Sequence, residues 1–442
     1  MSDTLVMETE ILNDAETFNG HLAEIGSDLN WLIDLKKEAW KSYQDLPVPT
    51  RTNEKWRFSN LKKIRDLSMY RIPTSSGSDN KAIIEKSKRI ETVSGRLVFL
   101  DDESISEEGI SSELAEKGVI FSTLAEAMVK HPELVQEYLT AQSPELGSEK
   151  YEALHLALLK NGTFLYVPDG VEVKDPFVSY NWAGEDKGTI FPHTIFVTGK
   201  GAKASLIEFQ ESVSKDTDHL VIANTDLFAN DGAEPRHTII QNWNAKTLSF
   251  QLNTNNAQSK TDARSVLINL GSSQARQEIH GKIFGSESNV EIYSLTVPNS
   301  DQEVDQRTLQ THLAPQSRSD LLFRNALLDN SRTIFSGLII VAEGAQQTDA
   351  YQTNNNLMLS ENAESNSLPG LEIKANDVKC SHGATTGRID ESELFYFLAR
   401  GIPRKTAQEL MVFGYFNEIL NRLDNEQVAE YVREKLQSKL TH

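Results

Sequence analysis

Gly285-Ser286-Glu287-Ser288-Asn289-Val290-Glu291-Ile292 is a corner of small polar residues that runs straight into a β-rich segment. The same turn-then-strand cassette starts near Gly201 (GAKASLIE), Gly232 (GAEPRHTI), Asn256 (NAQSKTDA), Gln316 (QSRSDLLF), Gly344 (GAQQTDAY) and Asn376 (NDVKCSHG). The intervals are roughly 31, 24, 29, 31, 28 and 32 residues, a period that points to a solenoid. Identity between the cassettes is low. From about Thr163 to Cys380 the chain shows short β-rich runs: Thr163–Val167, Thr194–Thr198, Ala204–Phe209, Thr238–Trp243, Val266–Leu270, Val290–Leu295, Asp320–Phe323 and Thr333–Val341. A parallel β-helix and a β-sandwich both accommodate such runs, since a sandwich also has frequent turn signals. The long period and polar corners such as Asn354-Asn355-Asn356, which could stack as a side-chain ladder, favour the β-helix.

Outward from this region the texture is helical, giving an N-terminal mainly helical region with a few short strands (1–160), a β-helix core (161–389) and a C-terminal helical domain (390–442). Residues 1–24 read as a loose tail or marginal helix. A firmer helix runs from about Leu29 to Leu46, with Leu32, Leu35, Ala39 and Tyr43 on one face, and Pro47 and Pro49 stop it. Residues 50–58 read as a connector pinned by Trp56 and Phe58, and Thr74–Asp79 as a flexible loop. Arg96–Leu100 and Val119–Phe121 are strand candidates, Ser122 is a candidate cap for a helix Leu124–Val129, and Tyr151–Leu159 is a further helix. Asp390-x-x-Glu393, Thr406-x-x-Glu409 and Asp424-x-x-Gln427 have capping-box spacing and open three C-terminal helices. Helical ends would cover the open ends of a solenoid, which otherwise pair with other chains.

The chain has 442 residues, 44 Lys and Arg against 64 Asp and Glu, and a net charge of −20. That balance opposes general binding to nucleic acid or anionic lipid. The single cysteine, Cys380, excludes an internal disulfide, and also a zinc or iron–sulfur site built from this chain's thiolates alone. Residues 1–30 hold no Lys or Arg, unlike a secretory or transit peptide, and no run approaches a membrane span. A cytoplasmic protein with a reduced thiol is the expectation.

Nucleotide-binding and zincin motifs are missing from the sequence, so ATP hydrolysis is not expected of this chain. Three features could carry chemistry. In Cys380-Ser381-His382 a strand would place thiol and imidazole on one side, suiting a metal or a Cys/His nucleophile pair; the plain alternative is a packed thiol beside a surface histidine. Asp301-x-Glu303-x-Asp305 could hold a divalent cation or act as in a β-helix carbohydrate lyase; solvated, mutually repelling acids are the plain alternative. The aromatic helix Leu410–Leu420, with Phe413, Tyr415 and Phe416, is core or a partner-docking face. His193, His237, His280 and His312 have no ligand-like spacing and read as surface or satisfied histidines.

The stretch Asp377-Val378-Lys379-Cys380-Ser381-His382-Gly383-Ala384-Thr385-Thr386-Gly387-Arg388-Ile389-Asp390, followed by Leu394-Phe395-Tyr396 and Arg400-Gly401-Ile402, resembles the C-terminal signature of the SufB/SufD family of iron–sulfur cluster assembly proteins. Gly162–Val171 and Gln352–Leu357 are similar to the family as well, and Leu46–Arg51 with Glu54–Arg57 resembles its SufD branch rather than SufB. The resemblance implies a right-handed parallel β-helix flanked by helical regions, in a non-enzymatic scaffold subunit of a SufBCD-type complex. It implies a SufB-like paralogue and a SufC-like ATPase as partners, with the ATPase docking on the C-terminal helices; Leu410, Phe413, Phe416 and Leu420 are the candidate contacts. A homodimer of the isolated chain is a further expectation. Carried over residue by residue, Cys380 and His382 fall on the family's Cys and His near the SufB interface. They are candidate ligands of iron or of a nascent cluster shared with the partner, with no cofactor held tightly by this chain alone. A purely structural subunit is the alternative, and a lyase using Asp301, Glu303 and Asp305 a more distant one.

Overall fold

The computed structural model describes residues 12, 14–26, 29–74, 80–139 and 145–441. Its centre is a parallel β-solenoid of about eight turns between residues 162 and 388. Successive strands alternate between two ten-stranded sheets. Leu220, Leu248, Gln274, Glu303, Arg332 and Glu364 stack as one column, each the register partner of the next. Parallel pairing throughout the core rules out the sandwich. The recurring cassettes are the solenoid corners. All but the last, near Asn376, turn on a residue in the left-handed region: Gly201, Gly232, Lys260, Glu287, Gln316 and Gln347. Most of these also donate a backbone hydrogen bond to the corner one turn on: Gly201 to Asp231, Gly232 to Ser259, Lys260 to Ser286 and Gln316 to Gln346, each 2.8 Å. Backbone conformation and stacking define the repeat, so Gly, Lys, Glu and Gln all serve and sequence identity stays low.

The strands that the hydrophobic pattern marks are present, slightly extended. As many again carry polar sequences, including Gln274–Ile283, Glu303–His312, Thr348–Met358 and the last strand, Val378–Arg388. They are polar because the solenoid lumen is partly polar. Its first turns are apolar, with Leu165, Phe177, Phe196, Leu206 and Leu227. Further along, a seam of buried side chains lines the lumen: Gln210 reaches Gln251 and Gln306 reaches Thr296 from one sheet to the other, and Gln251 bonds Asn253 on its own strand. Asn354 and Asn356 lie within a strand rather than at a corner, and in place of a ladder they make one bond between turns, Asn325 to Asn356, and one along the strand, Asn356 to Asn354, each 2.8 Å.

The helices cover the outer faces of the sheets. Val412, Phe416, Ile419, Leu420, Val428 and Val432 pack on Phe209, Ile240, Ile268 and Leu295 of one sheet. Trp56, Tyr151, Leu154 and Leu158 pack on Leu220, Ile222, Leu248 and Phe250 of the other. Helix Asn30–Asp45 buries Leu32, Ala39 and Tyr43 of the expected face, with Leu35 only partly buried, and also Trp40 and Lys36, whose Nζ donates to the carbonyls of Ala157 and Leu159 at the end of helix Glu149–Leu158. Burial lowers the Lys36 pKa to about 7. Helix Ala15–Ala23 is present, the cap of helix Leu124–Lys130 is Thr123 rather than Ser122, and helix Arg404–Leu420 begins before the Thr406 box. Asn425, not Asp424, caps helix Glu426–Thr441. Residues 1–11 of the expected tail and 75–79 of the expected loop lie outside the described residues. No helix among the described residues is long and apolar enough to cross a membrane.

The solenoid ends are treated differently from expectation. Antiparallel strands Glu103–Glu108 and Ile120–Thr123 close the N-terminal end of the two sheets. Among the described residues no strand pairs with the outer edges of Glu364–Ile373 and Val378–Arg388 at the other end.

The N-terminal segment is fastened by a buried arginine. Arg276 stacks on the Trp56 ring, its guanidinium carbon 3.8 Å from the centroid. It donates to Glu278 (2.8 Å), Asp305 (2.6 Å) and the carbonyls of Lys55 and Leu146 (both 3.0 Å). Arg276→Leu strands two buried carboxylates, and we expect a loss of about 3–5 kcal/mol, read as a lower denaturant midpoint. The Arg276 and Arg307 charges hold the buried Asp305 below the usual carboxylate range although burial itself opposes this. The clamp's contribution is therefore complete above the ordinary Asp pKa and fades as pH falls through the depressed one.

Candidate functional site

The last strand, Val378–Arg388, stacks on Thr348–Met358 with Cys380 opposite Ala350, His382 opposite Gln352 and Ala384 opposite Asn354. Register partners on parallel strands share a face, and side chains alternate along each strand. Ala350 belongs to a lumen cluster with Ile339, Val341 and Ala345, against which Cys380 packs. Cys380 and His382 therefore point to the lumen side of the terminal turn, about 7 Å apart along the strand. Cys380 is half-buried and His382 exposed, and so is nearly all the strand beyond it. Among the described residues no group of three or more His, Cys, Asp or Glu is arranged to hold a metal ion. The pair offers one soft and one borderline ligand at an unpaired edge, and a tetrahedral site there needs ligands from a second chain.

Burial pushes the Cys380 thiol above its ordinary value; a backbone hydrogen bond from Ala350 opposes this and the Asp349 carboxylate adds to it. Surroundings that raise the thiol pKa are not those of an activated nucleophile, which speaks against the Cys/His nucleophile reading. We expect the rate of Cys380 alkylation to keep rising past pH 9 in a stopped-flow thiol assay, instead of levelling near that value.

The other candidate residues are placed elsewhere. Asp301 sits in the turn before its strand, where it accepts from Asn330. Glu303 and Asp305 share the outer face, buried under the N-terminal segment. Glu303 accepts from the Asn60 backbone and pairs with Arg332; Asp305 accepts from Ser59 and pairs with Arg276 and Arg307. Glu303 and Asp305 are not solvated, and Asp301, though exposed, sits apart from Asp305 in the turn, so the three do not converge on a cation or a substrate: the buried pair holds the fold together. On helix Arg404–Leu420, Phe416 and Leu420 are buried against the sheet and Phe413 is partly buried, leaving only Leu410 well exposed. The exposed apolar neighbours are Phe395 and Tyr396 on helix Glu391–Leu398, which sequence reasoning placed in the family signature without a role.

None of the four singled-out histidines is on the surface. His237 pairs with Glu208 at 2.6 Å, and His312 bonds Ser317 and Ser319. His280 bonds Thr311. His193 bridges His155 (2.9 Å) and Asp226 (3.1 Å), and His155 reaches the Ile222 carbonyl at 2.7 Å. Burial, then the neighbouring His193, holds His155 well below its ordinary pKa. No spacing could reveal this chain, whose members lie on a helix and two different turns of the solenoid.

Comparison with known proteins matches this architecture. A family model described as SUF system FeS cluster assembly, SufBD core domain, matches residues 180–415, and one described as SufBD protein N-terminal region matches residues 16–178. The iron-sulfur cluster assembly protein SufD of Bacillus subtilis is 26% identical over 416 residues, covering 93% of this chain and 94% of that protein. The iron-sulfur cluster assembly protein SufD of Escherichia coli is 27% identical over 398 residues, covering 89% of each. A SufBD family protein of Synechocystis is 28% identical over 355 residues, 78% of this chain and 73% of the relative. With both regions matched and the solenoid in place, the chain belongs to the SufBD family of iron–sulfur cluster assembly proteins and is SufD-like over most of its length.

Proposed function

We propose that this chain is the SufD-type scaffold subunit of a SufBCD-like complex, contributing to iron acquisition and nascent cluster formation where its open end meets a SufB-like partner. The observation that carries the reading is the coincidence of two features on one strand. Among the described residues no strand pairs with the outer edge of Val378–Arg388, and that strand also carries Cys380 and His382. A bare strand edge is a template for another strand, and an incomplete ligand pair is completed by the chain that docks there. The iron and sulfide are cargo, built up at the junction and passed on.

Of the two ligands, His382 is the leading one. It is exposed at the edge, whereas the Cys380 thiol is half-buried with its pKa raised, so thiolate ligation there awaits a bound metal or the partner's charge. In the complex of this chain with its SufB-like and SufC-like partners, anaerobic reconstitution of His382→Ala should yield markedly less cluster by visible absorbance and circular dichroism. Full yield would leave this chain a structural subunit only.

The ATPase contact moves from the buried Phe416 and Leu420 to the apolar surface of Phe395, Tyr396 and Leu410. Substituting Phe395 and Leu410 together by Glu should abolish co-purification of the SufC-like ATPase with an unchanged melting temperature. Phe416→Ala, which empties a core position, should instead cost about 3–5 kcal/mol of stability.

A further inference from the structure

A closed polar cavity lies on the outer face of the other sheet, away from the Cys380 and His382 edge. It measures about 30 Å³, room for about two waters. Asn224 and Asp226 on one strand and Glu278 and His280 on another line its floor, and Glu145 and Glu152 of helix Glu149–Leu158 close it from above. Four carboxyls thus meet at one small space. Arg276 donates to Glu278 at 2.8 Å, and Lys282 lies 3.6 Å from Glu145. Asp226 accepts from His193 (3.1 Å) and Thr254. Among the described residues no Lys or Arg pairs with Glu152. Asn224 Oδ1 and His280 Nδ1 are buried at the same cavity without a hydrogen-bond partner, on side chains each 5% exposed. Burial and the Lys282 charge keep the His280 pKa at about 3, so its ring brings no charge. The acids are not arranged to hold a metal ion.

Acceptors short of donors and carboxylates short of cations share one remedy, a proton: a neutral carboxyl brings an O–H donor and takes a charge out of the cavity. We propose that Glu152 is held as a neutral acid whose O–H serves the acceptors of this cavity, and that this proton latches helix Glu149–Leu158 onto the sheet. Burial, then the charges of Asp226, Glu278 and Glu149, raise the Glu152 pKa to about 8 against the pull of Lys282. The latch reaches the N-terminal clamp: Ser148, just before the helix, donates from its hydroxyl (2.6 Å) and its backbone (3.3 Å) to Glu278, which Arg276 also holds. A carboxyl whose folded pKa lies above its ordinary value binds the proton more tightly when the helix is seated. The hold is therefore greatest below pH 4.5, weakens as pH climbs toward about 8, and is constant beyond. Lys36, at the far end of the helix, works in the opposite sense, since its lowered pKa favours seating as pH rises. The latch is independent of the reading of Cys380 and His382.

The test compares the full chain with Glu152→Gln, which keeps the shape of the neutral acid, by hydrogen exchange and denaturant unfolding across this pH interval; the comparison cancels the Lys36 effect. In wild type the protection factors of helix Glu149–Leu158 should fall by up to about tenfold per pH unit and level off near pH 8, while those of helix Glu426–Thr441 do not follow. In Glu152→Gln the fall should be absent, and the denaturant midpoint should exceed that of wild type by a margin that widens with pH up to about 8. Asp226→Asn removes the first of the charges that raise the Glu152 pKa, so its plateau should come at lower pH. Protection that stays flat in wild type overturns the proposal, as does the same fall in wild type and Glu152→Gln. An unmoved plateau in Asp226→Asn overturns it as well, and that measurement decides even where Glu152→Gln does not fold.

Discussion

Stacking of parallel turns is the constraint on which the rest of this molecule depends. Each strand satisfies its backbone groups only through the turn below and the turn above, and the corners do the same through their left-handed residues. A stack built in this way has two ends with unsatisfied edges. Here the N-terminal end is closed by antiparallel strands, one of them, Glu103–Glu108, rich in acids that discourage further pairing. The C-terminal end carries Cys380 and His382 on an edge that nothing in the described chain pairs. Position in the stack thus puts the Cys380 and His382 pair on the last rung.

The solenoid also redistributes polarity. With two faces per sheet to cover, the chain places large apolar residues on the outer faces and covers them with helices, while part of the lumen is lined by amides and hydroxyls. Burial of the outer faces is why Phe416 and Leu420 serve the core. It is also why Asp305 and Glu303, on an outer face beneath the N-terminal segment, serve as anchors. The clamp around Arg276 joins a chain segment near residue 56 to strands more than 200 positions later. Its charges are tolerated because each guanidinium nitrogen meets at least one acceptor.

The parts of this picture that are legible in the sequence are local ones. The cassette period is visible because corners need small or polar residues at fixed distances, and Cys380 and His382 are visible as a pair because side chains two apart on a strand share a face. Strands such as Gln274–Ile283 and Glu303–His312 escape a hydrophobic reading because one face meets a polar lumen and the other meets buried ion pairs. The chain of His155, His193 and Asp226 escapes because its members meet only when helix and solenoid pack.

By itself, the sequence determined the repeat, the helical flanks, the family resemblance that implied the parallel solenoid, and the adjacency of Cys380 and His382. All of these follow from short-range periodicity or from contiguous motifs. The tertiary structure alone decided which aromatic residues are core and which are free. It alone decided that the acid trio is split between a turn and an anchor, and that the thiol is raised in pKa by its surroundings. Those outcomes depend on which turns and helices come to lie against one another, and distances of that kind are not written along the chain.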